Sequence, residues 1–189
     1  MTRLSSLTRR RLLMTIPLIG ATGVGFAFWK MLADMRVGTF NPHNINTPVL
    51  NRSVPDFTLP GFAPHKGFSA DDLRQLNTPV LVTFFASWCI PCLEEMPLLM
   101  TLKKFLPLWG IAYKDKPYNI KEFLHSAGNP FARLAQDQQG RVGIDWGISG
   151  VPESFLIGAG GIIRWHEANP LTEDVITNTL LPLVQKISS

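Results

Sequence analysis

One segment limits what this 189-residue chain can fold into more than any other: the uncharged run Pro79-Val-Leu-Val-Thr-Phe-Phe85, followed almost at once by Trp88-Cys89-Ile90-Pro91-Cys92. The run is short, apolar and rich in β-branched and aromatic residues, which marks a strand buried on both faces. Pro91 then suits the first turn of a helix, where its missing N–H leaves nothing unpaired. The only two cysteines of the chain therefore stand at a strand-to-helix junction, two residues apart. Thiols in that arrangement can close a small disulfide and reopen it, the geometry a dithiol exchange catalyst needs.

Two other uses of this spacing compete with redox chemistry. Half of a zinc site has it, but such a site needs about four ligands. His43, His65, His125 and His166 are scattered singly with no paired motif among them, so no metal is expected. A structural staple is the second alternative, and a disulfide closing so short a loop removes little unfolded-state entropy. Phe84, Phe85 and Trp88 ahead of Cys89, and Pro91 ahead of Cys92, favour the redox reading. No cofactor is expected beyond a redox-active Cys89–Cys92 disulfide.

The two sulfurs are expected to differ. Unpaired N–H groups and the positive end of the helix dipole stabilise a thiolate at a helix start, so Cys89 should ionise in the range of roughly 3.5 to 7.5 and act as nucleophile. Cys92, one turn inside, should be more buried and harder to ionise, as suits the resolving thiol that attacks a mixed disulfide.

Along the rest of the chain, residues 55–60 alternate like a short edge strand, and a helix is expected over 69–76, with Ser69 and Asp72 as a loose capping pattern. A helix over 92–105 should kink at Pro97. A strand over 108–113, a short helix over 119–127 closed by Gly128, a strand over 131–135 and a helix over 139–146 follow. Residues 154–157 and 162–166 flank Gly158-Ala-Gly-Gly161 as a hairpin. An amphipathic helix over 172–187, interrupted by Pro182, ends the chain. This alternation predicts an α/β fold, a central mixed β-sheet flanked by helices on both faces.

The first forty residues are a different material. Arg3, Arg9, Arg10 and Arg11 precede residues 12–29, an eighteen-residue stretch without a charge. As a helix it spans roughly 27 Å, just enough to cross a bilayer. The arginines put the N-terminus on the cytoplasmic side. A cleaved signal peptide is the alternative, but the run exceeds the usual roughly 7 to 15 residues and no small-x-small cleavage site follows. The expected organisation is a basic cytoplasmic tail over 1–11, a transmembrane signal anchor over 12–31, a tether over 32–51 and one folded domain over 52–189.

Charge has to be read by region. Six of the eighteen Lys and Arg lie at or before Arg36, and thirteen of the fourteen acids lie after it, so the exported part carries twelve bases against thirteen acids, a net −1. The overall pI near 9.3 thus reports the N-terminal segment and argues against a nucleic-acid partner. With only these two cysteines, no third thiol can mispair in an oxidising compartment.

The domain resembles the thioredoxin-like fold and, within it, the membrane-anchored thiol:disulfide interchange proteins of cytochrome c biogenesis, the CcmG/DsbE type. The resemblance rests on Pro55-Asp-Phe-Thr-Leu-Pro60, Ser87-Trp-Cys-Ile-Pro-Cys92, Glu95, Pro97-Leu-Leu-Met100, Tyr113-Lys-Asp-Lys-Pro117, Gly128-Asn-Pro130 and Asp145-Trp-Gly-Ile-Ser-Gly-Val-Pro-Glu-Ser-Phe155. It implies that Pro152 is a cis-proline facing the cysteines, that the backbone of Val151 pairs with an incoming peptide, and that Trp88, Pro91, Glu95 and Glu153 line the groove. If they do, the two carboxylates should oppose thiolate formation at Cys89. The chain departs from the family at Ser149, where a tyrosine is common, at Leu93, where a basic residue is usual, and at Thr83, where thioredoxins carry a buried aspartate.

The resemblance further implies a single-pass protein of the inner membrane with its catalytic domain in the periplasm. The expected activity is reduction of disulfides in the CxxCH motif of apocytochrome c, or of a thiol carrier that holds it, with electrons from a membrane thiol reductase. A general membrane-bound reductase or oxidase and a tethered thiol-presenting module are the competing functions.

Overall fold

The computed structural model describes residues 24–26, 28–30, 33 and 50–188. The chain divides into two compact units, Met1–Ile45 and Asn46–Ser189. In the first, residues 24–26 and 28–30 are helical, and Val24, Phe26, Phe28 and Trp29 are largely exposed. Among the described residues no helix is long and apolar enough to cross a membrane. The tail over 1–11 and most of the anchor over 12–31 and of the tether over 32–51 lie outside the described residues.

The second unit opens with a backbone segment hydrogen-bonded to a later strand, in which the Asn51 amide donates to the Ile163 carbonyl and the Val54 amide to that of Gly161. Two short antiparallel strands follow, β1 (Thr58–Leu59) and β2 (Phe68–Ser69), then α1 (Ala70–Arg74). Only the middle of the strand expected over 55–60 forms, because Pro55 and Pro60 have no N–H to give a ladder. Ser69 caps α1 reciprocally with Asp72, as the sequence pattern implied.

Then come β3 (Val80–Phe85), α2 (Ile90–Leu102), β4 (Leu108–Tyr113), α3 (Pro117–Ala127) and β5 (Arg133–Asp137), two crossovers that leave the three strands parallel. After α4 (Arg141–Trp146), strands β6 (Glu153–Gly158) and β7 (Ile162–Glu167) form the glycine-turn hairpin. The sheet order is β5-β4-β3-β6-β7, with β6 antiparallel to β3. The chain ends in α5 (Glu173–Val175), a π-helical turn (Ile176–Leu180) and α6 (Leu181–Ser188).

Strand β3 is central and wholly buried, as its composition required. Its side chains alternate between two cores. Leu81 and Phe85 pack with Met96, Leu99 and Leu102 of α2, Ile120 and Phe123 of α3 and Leu180, whereas Val80, Val82 and Phe84 pack with Leu73 of α1, Trp146 of α4 and Phe155 of β6. The expected central mixed sheet with helices on both faces is the architecture found, a thioredoxin-like α/β fold.

Several boundaries differ from expectation for local reasons. Helix α2 starts two residues early, at Ile90, because Cys89 itself is the N-cap, and it ends at Leu102, short of Phe105. Helix α3 begins at Pro117, a residue suited to a first turn. The strand expected over 131–135 begins at Arg133, since the Asn129 side chain accepts from the Phe131 amide and holds those residues in a turn. Helix α4 begins at Arg141 because Gly140 takes a left-handed φ of 74° in the turn from Asp137. The last helix widens just before Pro182: the Leu181 amide reaches back five residues to Ile176.

Candidate active site

Because β3 is the middle strand, the chain leaving its end emerges at the centre of one sheet edge, and α2 starts there with its N-terminus pointing at the exit. The approach is pinned by Asp115, a buried residue of the loop after β4, whose carboxylate accepts from the amides of Ser87 at 2.6 Å and Lys116 at 2.7 Å. The exposed Trp88 lies against the same loop, its indole N–H donating to the Lys114 carbonyl at 3.4 Å. Gln136 of β5 fixes that loop from below by donating to the Asp115 carbonyl.

Cys89 and Cys92 are disulfide-bonded. The amide of Cys92 donates to the Cys89 sulfur at 3.1 Å, so the first sulfur receives the N–H that the helix start leaves unpaired. Both cysteines are buried, 5% and 2% exposed, and exposure alone does not separate their roles as the sequence reading expected. What separates them is position: Cys89 is the N-cap, and its sulfur faces the backbone of a second segment. Pro91 sits in the first turn of α2, exposed to solvent.

That second segment is brought by β6. Glu153, its first residue, pairs with Phe84 near the end of β3, so Val151 and Pro152 arrive beside the cysteines. The Val151–Pro152 peptide bond is cis, and the Val151 carbonyl oxygen lies 3.4 Å from the Cys89 sulfur. Pro152 is buried and Val151 partly so. A cleft of about 800 Å³ opens where Ser87 and Leu93 of the active-site turn and α2 face α3, lined among others by Asn119, Lys121, Phe123 and His125.

The structure corrects the expected roles of the two glutamates. Neither lines a water-filled groove, and they lie on opposite faces of the sheet. Glu95 is 4% exposed, one helical turn beyond Cys92 on the α2 face, and neither carboxylate oxygen has a hydrogen-bond partner. Burial raises its pKa to about 8; the nearby Leu171 backbone lowers it slightly, without meeting hydrogen-bond geometry. At neutral pH Glu95 is therefore mostly uncharged and does not oppose a thiolate at Cys89.

Glu153 is 1% exposed and points with Phe155 into the other core. One oxygen accepts from the Ser149 amide at 2.6 Å, the Ser149 hydroxyl at 2.7 Å and the Gly150 amide at 3.0 Å; the other meets His166 Nε2 at 2.7 Å. Burial works against its charged form, but these hydrogen bonds, His166 first, outweigh it and hold its pKa below the ordinary carboxylate value.

Sequence reasoning missed Asp115, Ser149 and His166 as site residues. Asp115 was visible only as part of a family-like segment; its preceding Lys114 takes a positive φ of 49°, which turns the loop toward Ser87. Ser149, read as a departure, supplies two of Glu153's four hydrogen bonds. Thr83, in place of a buried acid, pairs across the sheet with the Ser154 hydroxyl at 2.8 Å. Among the described residues no group of three or more His, Cys, Asp or Glu could hold a metal ion.

Residues 50–166 match the AhpC/TSA family. The thiol:disulfide interchange protein HelX of Rhodobacter capsulatus is 36% identical over 174 residues, covering 91% of this chain and 95% of its own length. The thiol:disulfide interchange protein DsbE of Escherichia coli K12 is 34% identical over 181 residues, covering 95% of this chain and 97% of its own. Among solved structures, one described as a thiol:disulfide interchange protein DsbE, from Chlorobium tepidum, superposes with a TM-score of 0.59 at 24% identity, over 72% of this chain and 94% of that one, a likeness of fold. The chain thus belongs to the AhpC/TSA family of thioredoxin-like proteins and, within it, to the thiol:disulfide interchange proteins of the DsbE type.

Proposed function

We propose that this thiol:disulfide oxidoreductase works as a reductase anchored in the inner membrane, with its N-terminus in the cytoplasm and its catalytic domain in the periplasm, and that its target is the CxxCH disulfide of apocytochrome c or of a thiol carrier. The observation that carries the exchange chemistry is Cys89 at the N-cap of α2, with its sulfur 3.4 Å from the Val151 carbonyl and 3.1 Å from the Cys92 amide. The basic residues ahead of the uncharged stretch over 12–29, and the exposed Val24, Phe26, Phe28 and Trp29, support the anchor.

In the forward direction reduced Cys89, as thiolate, attacks one sulfur of the target disulfide. An S–S bond forms between protein and target, and the target's other sulfur leaves as a thiolate that takes up a proton. Cys92 then gives up its proton and attacks the Cys89 sulfur; the mixed disulfide breaks, the second target thiol departs, and the protein holds the Cys89–Cys92 disulfide. Two electrons have passed to the target. Glu95, a turn from Cys92, can accept the proton that Cys92 loses only in its ionised form, a minority at neutral pH that grows as the pH rises toward its pKa of about 8. A membrane thiol reductase restores the dithiol by the same exchange in reverse.

The peptide would dock along the Val151 backbone, with Trp88 and Pro91 exposed beside it and Leu93 and Phe123 in the adjoining cleft. A strain carrying Cys89→Ser as its only copy is expected to lose covalently attached cytochrome c while bulk periplasmic disulfides persist. Normal cytochrome c in that strain would overturn the assignment of target.

A further inference from the structure

The segment that faces Cys89 has little regular structure of its own. Residues 147–152 join α4 to β6, and within them Gly147 takes a left-handed φ of 74°. The first two residues are tied to α4, the Gly147 amide donating to the Ile144 carbonyl and the Ile148 amide to that of Gly143, and the stretch beyond them is held by one side chain behind it. Glu153 accepts from both amides of Ser149 and Gly150 and from the Ser149 hydroxyl, all through one oxygen, Oε1. The carboxylate is in turn held from β7 by His166, 2.7 Å from Oε2. An ionised carboxylate only accepts, so His166 Nε2 carries the proton of that bond.

His166 is well placed to be rigid. It stands opposite Phe155 in the β6–β7 register, its ring stacks on that phenyl ring at 4.2 Å, and its side chain is 7% exposed. A chain of contacts therefore runs from the sheet through His166 and Glu153 to the loop at 149–151 and on to the Val151 carbonyl. Removing the histidine would take a donor from a carboxylate that has almost no access to water, which costs far more than losing the same bond at a surface. The carboxylate could regain partners only by turning away from the loop.

We infer that His166 is a positioning residue for exchange: through Glu153 it fixes the 149–151 loop so that an incoming peptide meets the Val151 backbone in register with the Cys89 sulfur. The bond of His166 to Glu153 and its stacking on Phe155 act on the loop from behind, away from the Cys89 sulfur. Its effect falls on reactions that use the loop, and spares attack by a small reagent that needs only the thiolate. The inference rests on peptide exchange through Cys89, whatever the natural target.

Two rates on the reduced full-length protein test this: reduction of a peptide bearing an intramolecular Cys-x-x-Cys-His disulfide, and alkylation of Cys89 by iodoacetamide. His166→Leu is expected to slow the peptide reaction by about tenfold to a hundredfold, the latter being the cost of a misplacement of about 1 Å, and to leave alkylation unchanged. His166→Gln, which keeps a donor, should recover most of the loss. Should His166→Leu fail to fold, Ser149→Ala removes a loop donor from the other end of the network and should show the same split between probes. Unchanged peptide reduction, equal slowing of both probes, or no rescue by glutamine would each overturn the inference. The variant-to-wild-type ratio is read equally on other disulfide peptides, so a wild-type protein without preference for Cys-x-x-Cys-His peptides would sink the apocytochrome assignment and leave this inference standing.

Discussion

The two buried glutamates show how one residue type takes opposite characters from its surroundings. Glu153 is ringed by donors and stays ionised, while Glu95 has no partner and holds its proton until about pH 8. The unfolded chain releases the Glu95 proton near 4.5, so between those values the folded state binds one proton more, and stability falls as pH rises through that window. Glu95→Gln keeps the shape and removes the titration. It is expected to match the wild type in urea unfolding at about pH 4 and to exceed it at about pH 8, by at most about 5 kcal/mol. It should also slow the release of the mixed disulfide, which trapping with a slow-leaving target would show. Equal stabilities at both pH values would mean that the carboxyl is not desolvated in solution. Both glutamates were legible as residues that matter; their burial was not, because a single letter in a sequence carries no record of which neighbours close over it.

At the scale of elements, the active site is a meeting of ends. The terminus of β3, the start of α2 and the start of β6 come together because β3 is the central strand and β6 lies beside it. The loop after β4 secures the junction through Asp115. Asp115→Ala leaves the Ser87 and Lys116 amides without their acceptor, at a cost of roughly 1 to 3 kcal/mol, and should loosen the turn that carries Trp88. Urea unfolding reads the first effect, and slower peptide reduction by the folded variant reads the second; a variant as stable and as fast as the wild type would show that Asp115 holds nothing. The strand-to-helix junction, the glycine hairpin and the Ser69–Asp72 cap could all be read from residues, since each depends on neighbours within a few positions. The late start of β5, the turn at Gly140 and the widened turn before Pro182 could not. Each rests on a short-range bond that displaces the regular element the pattern suggests, such as the Phe131 amide donating to the Asn129 side chain.

For the whole molecule, the resemblance already legible in the chain's segments agrees with relatives that share more than nine-tenths of its length. The exchange chemistry follows from the fold and its two cysteines; its direction depends on where the domain sits and what supplies its electrons. In an oxidising compartment a CxxC pair drifts to the disulfide, so a reductase there needs a low potential and a dedicated donor. The most direct test of that claim is the reduction potential of the Cys89–Cys92 couple, measured by equilibration against glutathione. A value near thioredoxin's roughly −270 mV is the result expected of a reductase, and a value near the roughly −120 mV of a strong oxidant would contradict it.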